Sequence, residues 1–336
     1  VATPLHGFPG ADRHRARIEE SLLAVVASEE ELMAEMSVHL VRAGGKRQRP
    51  LFTVAAAAAA ATTPEAADAA VTDDAVLGGV SVELVQVGSL CHDDVIDEAE
   101  TRRGVESVNA RWGNLRAILV GDFLLAKASE IAAGIGTEVA GLLATTIARL
   151  CEGEVLELRS AYDPARTEAS YLAAIDGKTA ALFATACRVG GLVADLPRAD
   201  IDRLTDFGRL YGLAFQVVDD VLDVVADEEQ LGKPAGHDIA EGTYNLPVLR
   251  TLAAGGPSAD ALRPLLGRPI EGDELERARD LVRSSVGVEE SVAVAQAYVD
   301  RACEALAPFG ERPTTAALAG AARQLLDDLE AVRRST

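Results

Sequence analysis

The sequence predicts an all-α protein, one large helical domain over residues 1–336 in which a central layer of helices is wrapped by an outer one. Three observations predict it. Hydrophobic residues make up 49% of the chain but aromatics only 4%, so the core must be built from Ala, Leu and Val, and Ala and Leu are the best helix formers. Apolar residues recur at helical spacing along almost the whole chain, and no stretch alternates in the manner of strands joined by hairpin turns. No Gly/Ser-rich or Pro-rich linker divides the chain, and many of the helices are apolar nearly all round, which demands burial on every side.

The elements follow in order. Residues 14–42 make a first amphipathic helix, with Ile18, Leu22, Val25 and Val26 on one face and a break at Ala43-Gly44-Gly45. A second helix runs from Pro50, where proline suits a first turn, and closes at Thr63-Pro64. A long, mostly apolar helix over residues 68–99 ends in Asp93, Asp94 and Asp97, and the polar segment ETRRGVESVNARWGN follows as a loop. Further helices are expected near 116–134, 138–160, 168–195 and 198–227, with a break at DGKTA, residues 176–180. After the loop EEQLGKPAGHD come helices near 240–254, 259–267, 273–285, 287–307 and 313–334.

Composition excludes some classes of function. A formal net charge of −21 leaves no basic face for nucleic acid and argues against electrostatic docking on an anionic membrane. Cys91, Cys151, Cys187 and Cys303 are widely spaced without a CxxC pair, so zinc is not signalled; their apolar helical context reads as reduced, buried thiols in a cytoplasmic protein. The segment VATPLHGFPGADRHR lacks a signal-peptide pattern. The longest uncharged run, residues 51–63, is too short to cross a bilayer, so no transmembrane segment is expected.

The chemistry gathers in two clusters. Asp93 and Asp97 are four apart, hence neighbours on one helical face, with Asp94 about a quarter-turn round. Asp219, Asp220 and Asp223 repeat the same spacing after Phe215, Val217 and Val218. Like charges this close destabilise a helix, more so at the end of a buried one. Divalent cations remove that cost. Mg²⁺, with Mn²⁺ as a substitute, binds through one or two carboxylates together with waters and substrate phosphates. The clusters therefore predict a phosphorylated ligand between two facing helices.

Such a ligand also needs cations from the protein, and they stand beside the same elements. GGKRQRP, residues 44–50, places Lys46, Arg47 and Arg49 at a glycine break before a helix; Arg102 and Arg103 follow the first cluster; Lys178 and Thr179 lie in DGKTA; Lys233 follows the second cluster. Helix starts and basic side chains both favour phosphate.

With these segments in place the chain resembles the trans-isoprenyl diphosphate synthases, or polyprenyl synthetases. GGKRQRP, HDDVIDEAETRRG, GDFLLAKA, GKTA, FQVVDDVLD and GKPAGHDIAEG occur in that family's order across residues 44 to about 250. The resemblance implies an all-α bundle of the isoprenoid synthase type around a deep central cavity, usually a homodimer. It also implies condensation of isopentenyl diphosphate with an allylic diphosphate. Carried over by position, Asp93, Asp97, Asp219 and Asp223 would ligate Mg²⁺, with Asp94 and Asp220 acting behind them. Lys46, Arg49, Gln86 and Arg103 would bind isopentenyl diphosphate; Arg102, Lys178, Thr179, Gln216 and Lys233 would hold the allylic diphosphate. Lys178, Thr179 and Gln216 would also stabilise the allylic cation. One departure stands out: Thr243 occupies a position where the family often has Lys.

In the family's short-chain members a bulky aromatic commonly blocks the two positions at which this chain has Gly88 and Ser89. Their smallness implies an open path down the helix past Val85 and Val82, and an all-trans product in the hexaprenyl to decaprenyl class. The alternatives are a shorter geranylgeranyl or farnesyl product, a class I terpene cyclase, or a non-catalytic subunit of a heteromeric synthase. GGKRQRP and the second aspartate cluster argue against a cyclase. Retention of both the acidic and the basic sets argues against a silent subunit.

Overall fold

The computed structural model describes residues 5–227, 230 and 235–335. In chain order the helices are α1 (Ala11–Val25), α2 (Glu31–Arg42), α3 (Gln48–Ala57), α4 (Pro64–Ala69), α5 (Asp73–Ile96), α6 (Val108–Trp112), α7 (Asn114–Ile135), α8 (Thr137–Arg159), α9 (Glu168–Ile175), α10 (Ala181–Val193) and α11 (Arg198–Val225). They continue as α12 (His237–Ala240), α13 (Leu246–Ala254), α14 (Gly256–Leu262), α15 (Gly272–Arg283), α16 (Val286–Leu306) and α17 (Pro313–Ser335). A π-helical turn, Asp176–Ala180, joins α9 to α10.

The all-α expectation holds, with local differences that have physical causes. The helix expected over 14–42 is two helices. Glu30 takes an extended conformation and its carboxylate caps α2 by accepting from Met33 N, while Ser28 Oγ accepts from Glu30 N at 3.2 Å. Side chains that bond the local backbone offer it an alternative to helix. The helix expected to start at residue 68 starts at Asp73, because Thr72 caps it through Ala75 N at 3.2 Å and Asp73 and Asp74 suit its first turn. The segment expected as a loop after the first aspartate cluster holds a two-residue antiparallel hairpin, β1 (Thr101–Arg102) and β2 (Val105–Glu106), with Arg102 opposite Val105. Arg103 and Gly104 both have positive φ, as a tight hairpin turn requires.

The core forms two hydrophobic clusters. The first joins α1, α3, α5, α7 and α10, where α5 packs most extensively on α7. The second joins α9, α13, α15 and α16. Helix α11 belongs to both: Phe207 and Tyr211 lie in the first, Val217 and Val221 in the second. Scarce as they are, the aromatics concentrate where α3, α10 and α11 meet. There Phe52 stacks at 6.0 Å on Phe207 and sits 4.5 Å from Tyr211.

By length and composition α5 could cross a membrane, but 72% of its apolar window is buried inside the bundle, as in a core helix. Cys91 and Cys187 are buried as expected; Cys151 is exposed on α8, because apolar neighbours in sequence do not place a residue on the helix's inner face.

Candidate active site

Helix α5 delivers the first aspartate cluster to the rim of a cleft of about 1100 Å³. Asp93 is half-buried and Asp97, the C-cap of the helix, is exposed; both line the cleft. Asp94 faces inward, 1% exposed, and its Oδ1 accepts from Arg102 Nε at 2.6 Å and Nη2 at 2.5 Å. It thereby ties the hairpin to α5.

Helix α11 forms the opposite wall. Asp219 is exposed to the cleft. Asp220 is buried, accepting from Tyr171 Oη at 2.5 Å and from Gln216 Nε2 at 2.9 Å, while Gln216 Oε1 accepts from Thr179 Oγ1 at 2.7 Å. Burial pushes the Asp220 carboxyl up, against the pull of these two donors. Asp223, one turn further, is not at the cleft wall: it is 2% exposed, and its Oδ2 accepts from Asp238 N at 3.2 Å.

The π turn mounts Lys178 and Thr179 between these walls. Regular helix is interrupted there but not ended, so the break expected at DGKTA is a widened turn, a feature often found at functional sites. Its position depends on close contact with α8. A Cβ added at Gly153 would lie 2.5 Å from Lys178 N, and one at Gly177 would lie 2.7 Å from Arg149 O. Arg149 and Arg209 clamp Asp176 at 2.7 and 2.6 Å. Lys178 Nζ pairs with Glu154 at 2.7 Å and also with Glu157. Burial works against its charge, but the two glutamates outweigh burial and hold Lys178 above its ordinary value.

The basic segment before α3 divides. Arg47 is 2% exposed and turned inward, its guanidinium bonded to Glu19, Glu83, Val41 O and Gly44 O. Arg49 lies over the Phe183 ring at 4.4 Å, and its buried Nε has no partner among the described residues. Burial lowers it to about 10, Glu83 acting against that and Arg103 with it. Arg103 reaches the same segment, donating to Gly44 O. Two guanidinium groups thus lie within each other's field, and one of them, Arg49, keeps an unused buried donor. Lys46 is exposed and Gln86 half-buried, both away from the cleft wall.

The match to known proteins follows these elements. The polyprenyl synthetase family model matches residues 30–282. The chain belongs to the polyprenyl synthetase family. As a polyprenyl synthetase it is a prenyltransferase, as the motifs implied. It is 38% identical over 305 residues to the nonaprenyl diphosphate synthase of Mycobacterium tuberculosis, covering 90% of this chain and 89% of that protein. Among solved structures, a decaprenyl diphosphate synthase from Rhodobacter capsulatus matches with a TM-score of 0.86 at 33% identity, over 96% of this chain and 98% of that one. A polyprenyl synthase from Caulobacter crescentus, complexed with calcium and isoprenyl diphosphate, matches with a TM-score of 0.87 at 33% identity, over 97% and 98% of the two chains.

Within this synthetase the cleft also gathers Asp238, which lies in the GKPAGHDIAEG motif but was given no role, and residues outside the quoted motifs: Glu154, Glu157, Tyr162, Tyr171 and Asn245. Glu154 and Glu157 had a signal, acids one helical turn apart beside Gly153; Tyr171 and Asn245 had none. Asn245 Nδ2 donates to Asp238 Oδ2 at 3.0 Å, and Thr243, between them, lines the cleft and donates its N–H to Asp238 O at 2.8 Å. Lys233 lies outside the described residues.

The donor set suits a hard divalent cation. Asp93, Asp97 and Asp219 are oxygen donors on facing walls, and no three His, Cys, Asp or Glu groups among the described residues converge to cage an ion unaided. That matches a metal completed by waters and phosphate oxygens. Asp93 is pushed up to about 7, by burial first, with Glu154 and Asp97 adding to it and Lys178 opposing, a strain that a bound cation relieves.

The chain-length positions are less open than expected. On α5 the deepest residue at the cleft wall is Leu90. Gly88 faces α7, where an added Cβ would stand 3.1 Å from Gly121 O and 3.3 Å from Leu125 Cγ. Ser89 is half-buried and donates its hydroxyl to Gln86 O at 3.1 Å; Val85 and Val82 are fully buried.

Proposed function

We propose that this synthetase is a Mg²⁺-dependent enzyme that condenses isopentenyl diphosphate with an allylic prenyl diphosphate, extending the product into the hexaprenyl to decaprenyl range. The observation that carries it is the pairing, in one cleft, of acidic walls from α5 and α11 with Arg102 and Arg103 on one side and Lys178 on the other. The crystallised Caulobacter relative, bound to calcium and an isoprenyl diphosphate, supports a metal and a diphosphate as joint occupants. The names of the Mycobacterium and Rhodobacter relatives support a long product.

Asp93, Asp97 and Asp219 are the residues suited to hold the metal; Asp223 is assigned a supporting part, since it anchors the segment that bears Asp238. When bound, Mg²⁺ supplies Lewis-acid stabilisation of the departing diphosphate oxygens. Lys178 and Arg102 donate to the allylic diphosphate as its C–O bond breaks and charge moves onto oxygen. Lys233 shares this role in the reading from sequence. Thr179 and Gln216, fixed to each other and to Asp220, present oxygen dipoles to the allylic cation. Arg103, at the cleft wall, with Arg49 in its field behind that wall, holds isopentenyl diphosphate so that its double bond reaches the cation, and orientation supplies much of the rate; Lys46 and Gln86, away from the wall, share this role only in the reading from sequence. The proton then leaves to the released pyrophosphate.

Exposed Leu115, Ile118 and Leu119 on α7 support a second copy of the chain as partner. Four free cysteines support a reducing, cytoplasmic setting.

The test is turnover by the purified chain alone, with farnesyl or geranylgeranyl primer, isopentenyl diphosphate and Mg²⁺. Asp93→Ala and Asp219→Ala should each lower kcat by about 10²–10³-fold with the melting temperature kept, and EDTA should abolish activity. Full activity in EDTA or in either variant would falsify the metal assignment. A silent wild-type chain that a second protein activates would favour the subunit reading.

A further inference from the structure

Arg166 stands behind the cleft rather than at its wall. It lies in the loop between α8 and α9, just before the Thr167 cap, and is 7% exposed. Its Nη1 donates to Tyr244 O at 3.1 Å, and its guanidinium carbon sits 5.5 Å from the centre of the Tyr171 ring. Nε and Nη2 are buried and meet no acceptor among the described residues. A buried cation with two idle donors is costly, and native proteins satisfy such groups with protein atoms or ordered water. The residue after Tyr244 carries a complementary group: Asn245 is 1% exposed, and its buried Oδ1 also lacks a partner. Idle donors on Arg166 and an idle acceptor on the residue next to its partner Tyr244 are groups that a buried water can join.

What Arg166 touches leads to the site on both sides. Tyr171, beneath its guanidinium, bonds Asp220, which bonds Gln216, which accepts from Thr179. Tyr244 and Asn245 continue the segment of Thr243 and, through Asn245 Nδ2, hold Asp238. Tyr171, Thr179, Gln216, Asp219, Asp238, Thr243 and Asn245 all line the cleft; Arg166 touches none of the space itself.

We propose that Arg166 is a positioning residue for the allylic half of the site. Through bound water it fixes the Tyr244–Asn245 segment, and through the Tyr171 ring it fixes the chain from Asp220 to Thr179. Thr179 and Asp219 thereby keep their aim into the cleft. This rests on the prenyl-transfer reading above.

Arg166→Met keeps the length and apolar stem but removes the charge and donors; Arg166→Lys keeps the charge; Tyr171→Phe cuts the chain at its next link. Steady-state kinetics on the full chain should show kcat about tenfold lower in Arg166→Met and KM raised for the allylic diphosphate, with KM for isopentenyl diphosphate unchanged. Arg166→Lys should recover much of the loss, and Arg166→Met/Tyr171→Phe should be little worse than the worse single variant, because both break one network. Unchanged kinetics in Arg166→Met overturns the proposal. So does an equal rise in both KM values with a lower melting temperature and no rescue by lysine, which marks a residue that only supports the fold. A crystal structure gives a reading independent of activity: water joining Arg166 to Asn245 Oδ1 is expected, and a dry gap or a guanidinium turned to solvent refutes it. Wild-type protein inactive with every primer counts against prenyl transfer instead, and the crystal structure then decides Arg166.

Discussion

Arg47 and Arg49, two positions apart in one basic segment, have opposite fates. Arg47 is fully paired in the core and Arg49 keeps a free donor beside Arg103. Spacing alone marked the segment as cationic but not which guanidinium turns inward. That depends on Glu19 and Glu83, far away in sequence. Because Glu83 is 3% exposed, removing its partner leaves a buried charge uncompensated. Arg47→Met should therefore cost about 3–5 kcal/mol in urea unfolding, and Arg47→Met/Glu83→Leu should regain a large part of it. A change below about 1 kcal/mol in the single variant would show that the pair is not a stabilising anchor. The two aspartate clusters were legible as a candidate metal site because two copies of one spacing, each after an apolar run, carry an electrostatic cost that a bound cation would remove. The depth of Asp223 was not, since i, i+1, i+4 spacing does not say which side of the helix meets solvent.

At the level of elements, the long apolar periodicities identified the main helices, α5 and α11 above all, while short features escaped. The hairpin at Arg103-Gly104 has the glycine of the usual Asn-Gly turn but an arginine in place of the Asn, and its ends are held by Ser107, whose Oγ donates to Ala99 O at 2.6 Å. The π turn could be read only as a disturbance, because its cause is the contact of Gly177 with α8 rather than anything in DGKTA itself. That contact is testable. Gly153→Ala, which would improve an isolated helix by about 1 kcal/mol, should here lower the melting temperature and reduce kcat, since its Cβ would push Lys178 N away from 2.5 Å. A more stable, fully active Gly153→Ala protein would mean that α8 and the π turn are free to separate.

Across the whole molecule, the cleft carries ten acids against Arg102, Arg103 and Lys178, so the negative charge of the chain is concentrated where its anionic substrates must bind. On the reading proposed above, product length would be limited at this scale too, by how α5 and α7 pack. Gly88 has no room for a side chain without moving Gly121 or Leu125, whereas Ser89 is half-buried and already carries a side chain. Ser89→Phe should thus shift products to shorter chains with activity retained, read by chromatography of the dephosphorylated products. Gly88→Phe should instead lose stability. An unchanged product pattern in an active Ser89→Phe enzyme would place the limit on another helix. Helix α11, with Phe207 and Tyr211 in one hydrophobic cluster and Val217 and Val221 in the other, has a further consequence for how the protein comes apart. An unbroken helix cannot release half its side chains from one core while the rest stay locked in the other without fraying in its middle. The two clusters should therefore melt as one cooperative unit. Trp112, the sole tryptophan, packs against the first cluster, so its fluorescence and the far-ultraviolet circular dichroism of the whole chain should trace the same denaturation curve. Two separated transitions would mean that α11 breaks between its cores.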